Sequence, residues 1–106
     1  MSTQQQLREL WQLQQSALSA GNDVDQLRRE LDDVRTRAEE LRDNLHAVEK
    51  IATATTLRTE LLRKLTDNEK RSDELQKQLI TRTEIQAAAS ARLHQLLSEL
   101  QLDAAP

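Results

Sequence analysis

Residues 24–48 read VDQLRRELDDVRTRAEELRDNLHAV, and this stretch decides the fold class. With Val24 at position a of a heptad, the a and d sites are Val24, Leu27, Leu31, Val34, Ala38, Leu41, Leu45 and Val48. All eight are apolar, and the spacing alternates three and four without error. The flanking e and g sites are mostly charged, so the apolar stripe is narrow. A narrow a/d stripe is the seam of a two-stranded coiled coil, whereas a globular bundle needs a wider face.

Beyond Val48 the pattern slips. A second register starts at Leu61 and runs through Leu65, Asn68, Ser72, Leu75, Leu79, Arg82, Gln86, Ala89, Leu93, Leu96 and Leu100. From Val48 to Leu61 is thirteen residues, one short of two heptads, bridged by Ile51, Ala54 and Leu57. Such a run of three-residue steps overwinds a supercoil or breaks the helix. Thr53, Thr55, Thr56 and Thr59 crowd the same region and lower its helix propensity. A further weak point is Thr66-Asp67-Asn68-Glu69, a capping-box pattern that offers a hairpin turn at 66–68. The favoured reading is one helix over 23–102, about 120 Å long; the alternative pairs 23–65 with 69–102. Asn68 and Ser72 mark either that turn or a polar layer of the core.

Toward the amino terminus, Leu7, Leu10, Trp11, Leu13, Ala17 and Leu18 form a broad stripe on a short helix over 7–20. Gly21-Asn22-Asp23 then reads as a stop and restart, with glycine closing one helix and Asn22 or Asp23 capping the next. Residues 1–6 and 103–106 read as disordered tails. The expected fold is therefore all-α: a short amino-terminal helix followed by a long coiled-coil helix, continuous or hairpin, and dimeric.

Composition narrows the function. The chain has 106 residues, nineteen of them Leu and twelve Ala, with one Gly, one Pro, no Cys and a single aromatic, Trp11. Turn residues and β-branched or aromatic core are too few for an α/β or all-β domain. Fifteen Lys and Arg stand against eighteen Asp and Glu, a net charge of −3. Interspersed charge of this kind gives no pull toward nucleic acid and no membrane insertion. The amino terminus lacks a basic-then-apolar leader pattern, which favours the cytoplasm.

No catalytic constellation emerges. A rod one or two helices thick has no pocket to position and desolvate a nucleophile and base. His46 and His94 follow Leu45 and Leu93 on the solvent side of the seam and lack ligands at metal spacing. The acidic pairs Asp32-Asp33, Glu39-Glu40 and Asp73-Glu74 sit on a solvated helix face, and Arg28, Arg29, Arg35, Arg37 and Arg42 are interleaved with acids. No enzyme, cofactor or metal site is expected.

What remains is a protein–protein interaction module, a homo-oligomeric scaffold or adaptor. Its expected oligomer interface is Val24, Leu27, Leu31, Val34, Ala38, Leu41, Leu45, Val48, Leu61, Leu65, Leu75, Leu79, Leu93, Leu96 and Leu100. The expected arrangement is a parallel homodimer, in which Asp23 meets Arg28 and Glu30 meets Arg35 across chains while Arg37 repels Arg42. Trp11 is expected to be covered by helix packing, or else to serve with Leu7 and Leu10 as a contact for another helical segment. In acidic pI, size, helical content and apolar stripes at both ends, the chain resembles the flagellar and type III export chaperones. That likeness implies, as an alternative, a small helical chaperone or export adaptor holding an amphipathic client segment.

Overall fold

A computed structural model describes residues 2–104, and it is all-helical. Helix α1 spans Thr3–Val48 and helix α2 spans Thr55–Ala104. The helices contribute to two compact units. One, here the Trp11 unit, pairs residues 2–26 with 79–104; the other, the loop unit, is Leu27–Gln78.

The start of α1 is set by Ser2 and Gln5. The Ser2 hydroxyl accepts the Gln5 amide at 3.2 Å, and the Gln5 side-chain oxygen accepts the Ser2 amide at 2.9 Å. This reciprocal capping box satisfies two donors that a helix start otherwise leaves open. The helix therefore begins at Thr3, not at 7, and Gln6 is already buried. The tail expected over 1–6 is thus corrected from Ser2 onward. At the other end α2 continues to Ala104, so only the last two residues of the 103–106 tail lie outside the described residues.

Gly21 does not divide the helix. No described residue, glycine included, has a positive φ, so the left-handed cap that would end a helix there is not formed. One helix replaces the expected 7–20 and 23 onward pair. The reason lies in the heptad, which extends backward from Val24 through Ala20, Ala17, Leu13 and Leu10 to Gln6 with the same alternating spacing. Ala20 is buried, and Leu10, Leu13 and Ala17 are half-buried. Continuous seam packing outweighs the roughly 1 kcal/mol by which a mid-helix glycine falls short of alanine.

The chain reverses at 49–54, where the register slips, and not at 66–68. Two turns follow one another: the Ile51 amide donates to the Val48 carbonyl at 3.1 Å, and the Ala54 amide to the Ile51 carbonyl at 3.2 Å. Arg58 closes the loop, donating to the Glu49 carbonyl at 3.2 Å and to the Thr55 hydroxyl at 3.4 Å. A cation at carbonyls just past a helix end also complements the helix dipole. The turn uses neither Gly nor Pro, which is why it is hard to see in sequence. The capping-box reading at Thr66 is corrected too: the Thr66 hydroxyl donates to the Leu62 carbonyl at 3.0 Å inside α2. Thr59 and Thr83 bond back in the same way, so these β-branched residues sit in the helix with their hydroxyls satisfied.

In the loop unit, Leu27, Leu31, Ala38 and Leu41 of α1 and Leu61 and Leu75 of α2 form the buried core. In the Trp11 unit the buried set is Ala20, Val24, Ala89 and Leu96, with Gln6. Leu75 and Leu96 are fully enclosed, one in each unit. Both heptad registers are thus the core registers of the fold, and their partner is the chain itself.

Candidate interaction surface

Of the expected oligomer-interface residues, Val24, Leu27, Leu31, Ala38, Leu41, Leu61, Leu75 and Leu96 are buried within the single chain. Val34, Leu45, Val48, Leu65, Leu79, Leu93 and Leu100 are half-buried. Within each unit that seam is occupied by helix pairing of the single chain.

The ion pairs show which flanks meet. Arg92 Nε lies 3.0 Å from Glu9 Oε1 in the Trp11 unit. In the loop unit Arg71 Nη2 lies 3.2 Å from Glu30 Oε2. All four residues occupy g positions of their registers, and each member of one pair lies three heptads from its counterpart in the other. Facing g sites are the mark of antiparallel pairing. Arg82 adds a contact to Asp23 at 3.7 Å. The hydrogen bond to Glu9 raises the Arg92 pKa above its ordinary value, partial burial opposes this, and the charges of Glu9 and Glu99 add to the rise. The acids Asp23 and Glu30, expected to meet Arg28 and Arg35 of a parallel mate, are taken by Arg82 and Arg71 of the same chain. Arg35 and Arg37 turn instead to Asp32 and Glu40 on their own helix.

Asn68 resolves as a polar core position. Its side-chain nitrogen donates to the Val34 carbonyl at 2.9 Å across the two helices. Ser72 and Ala38 beside it are small, and with Val34 and Asn68 they line an open groove of about 230 Å³. Gln86 is the half-buried polar residue at a seam position of the Trp11 unit. A Cβ on Gly21 would come within 3.0 Å of the Gln86 side-chain nitrogen, so the glycine makes room for that amide.

With the g sites of both helices on one flank, the e and b sites lie on the other. In the Trp11 unit that flank carries Leu7, Trp11, Gln14, Leu18 and Gly21 from α1. From α2 it carries Ile80, Thr83, Ala87, Ser90, His94 and Leu97. From Leu7 to Gly21 and from Ile80 to Leu97 these sites have no Asp, Glu, Lys or Arg; Asp25, the next b site of α1, bounds the uncharged stretch. Leu7, Trp11, Leu18 and Ile80 are each more than half exposed, and Leu97 is 43% exposed. The reading of Trp11 as covered by helix packing is corrected: it is 61% exposed at a b site, because Leu10 and Leu13 fill the seam on either side. Of its expected companions, Leu7 shares its flank and Leu10 points to the seam. The broad stripes holding Leu18 and Leu97 are legible in the sequence as surfaces for an additional helix, whereas Ile80 is not, and the 3.5-residue repeat of Leu7, Trp11, Gln14 and Leu18 is a second stripe beside the seam.

His46 is exposed and lies 3.4 Å from Glu49, and His94 is exposed on α2. No group of acidic, histidine or cysteine side chains among the described residues is placed to hold a metal ion. No helix among them is long and apolar enough to cross a membrane. Comparison with protein-family models, with curated proteins and with solved structures finds no match.

Proposed function

We infer that this chain is a non-enzymatic protein–protein interaction module, a helical scaffold or adaptor whose working surface is the uncharged flank of the Trp11 unit. One observation carries the reading: Leu7, Trp11, Leu18, Ile80 and Leu97 are exposed together on a face without a formal charge. Exposed apolar groups in a contiguous patch favour association, and Trp is enriched among the residues that dominate interface energies. The shape, two parallel ridges of helix, suits a helical ligand laid along them.

Leu7, Trp11 and Leu18 also suit the alternative drawn from the export chaperones, in which the same flank holds an amphipathic client segment. Both readings use one surface and differ in whether the occupant is a lasting structural partner or a transient client.

The test is site-specific photocrosslinking in the source cells. A photoreactive phenylalanine replaces Gln14, at the centre of the apolar flank, or Asp32, at the b site of the loop unit. The expected result is discrete crosslinked species from position 14 and none from position 32. Equal crosslinking from both, or none from position 14, rejects this surface.

A further inference from the structure

We propose that the occupant of this flank is a second copy of the chain, docked face to face through the Trp11 units so that four helices close over Leu7, Trp11, Leu18 and Leu97. The proposal rests on the interaction-surface reading above and names its partner.

Charge is the first ground. On a face that meets itself, a charge with no opposite partner is duplicated in the mate and repels it, so an uncharged face docks on its copy without that cost. Between Gln4 and Gly21 on α1, and between Ile80 and Gln101 on α2, the e and b sites hold no Asp, Glu, Lys or Arg. Chain-wide, charged residues make up 31% of the sequence. Their exclusion from this flank removes the repulsion that two-fold docking would otherwise double. A partner of opposite charge would instead leave a charged imprint on the flank, and none is there.

Area is the second. The α2 side of the face runs about 30 Å along the helix from Ile80 to Gln101, and two packed helices are about 20 Å wide. The resulting patch of about 600 Å² approaches the ~800 Å² per partner of a standard stable interface. Ala87 and Ser90 between the larger side chains let a facing helix approach, and Trp11 supplies the largest apolar surface on the patch.

Sedimentation equilibrium of the full chain between about 1 µM and 1 mM provides the test, with Trp11 emission recorded over the same range. The expected result is a reversible monomer–dimer equilibrium in which emission shifts to the blue as dimer forms. Leu18→Glu should raise the dissociation constant at least tenfold while helical circular dichroism is unchanged. Trp11→Gln, also at a largely exposed site, gives an independent second variant should Leu18→Glu lose helix. Arg35→Glu, an e site of the loop unit, should leave the constant within twofold. A chain that stays monomeric throughout, or a dimer indifferent to both Leu18→Glu and Trp11→Gln, overturns the proposal. The two readings fail separately: a monomeric chain that still crosslinks to another protein from position 14 loses the self-docking and keeps the interaction surface.

Discussion

The Trp11 unit and the loop unit are built from the same two helices in the same kind of seam, yet their e and b flanks differ in charge. In the loop unit those sites hold Arg28, Asp32, Arg35, Glu39, Arg42 and His46 on α1, and Thr55, Thr59, Leu62, Thr66, Glu69, Asp73 and Gln76 on α2. In the Trp11 unit the same heptad letters read Gln4, Leu7, Trp11, Gln14, Leu18 and Gly21 before reaching Asp25 on α1, and carry no charge on α2. Burial of the seam cannot account for this, since both seams are covered. A two-helix seam needs only a and d; apolar residues at e and b serve a further surface. The difference separates what holds the chain together from what it offers outward.

The largest expected effect tests the shared part of the comparison. Leu75→Asp and Leu96→Asp each place an unpaired charge in a fully enclosed site, one per unit, and should each cost several kcal/mol in urea unfolding. Equal penalties would mean that both seams carry the fold alike. A tolerated Leu96→Asp would show that the Trp11 unit needs its outer face to hold together.

Next come the polar seam positions. Asn68→Leu gains apolar burial of about 2 kcal/mol and loses one hydrogen bond of about 1 kcal/mol, so a net stabilisation of about 1 kcal/mol is expected in thermal melts. Gln86→Leu should gain less, because a branched side chain fits poorly into the room that Gly21 leaves for an amide. A larger gain at Gln86 would reverse that assignment.

Gly21→Ala is expected to stabilise by about 0.5–1 kcal/mol through helix propensity, provided the flexible Gln86 side chain moves by a few tenths of an ångström. Destabilisation in the same melt would make the contact with Gln86 the stronger constraint. The smallest effect belongs to the g flank. Glu30→Gln should cost no more than about 1 kcal/mol, since both it and Arg71 are substantially exposed. Glu9→Gln should lower the thermal midpoint in the same direction, and for both variants the deficit should fade at high salt.

Much of the seam was legible in sequence. The two registers named every core level from Val24 to Val48 and from Leu61 to Leu100, because a seam of this kind is read from period alone. Gly21 departs from its local signal: a residue that commonly ends helices yields to a heptad that continues unbroken through Ala20 and Ala17. Ser2 and Gln5 have capping-box spacing, and that spacing outweighs the polar composition of residues 2–6. The turn was harder. Residues 49–54 contain no Gly, Pro, Asn or Asp, so the register slip and the threonines around it are its traces, and overwinding and reversal leave the same slip.

From its sequence alone this protein is helical, charged outside and apolar along a repeat of 3.5 residues, because side-chain period and helix propensity are local properties. Which stripe meets which was decided only in the tertiary structure. An a/d stripe has no inherent direction and fits a second copy or the other half of its own chain equally well. The reversal at 49–54 joins the halves by a short loop, and tethering of that kind gives an effective concentration in the millimolar range, far above that of a separate copy in dilute solution. With the seam thus closed from within, Leu7, Trp11, Leu18 and Leu97 are left facing outward: the repeat sets them beside the seam, and where the chain turned decides that they stay uncovered.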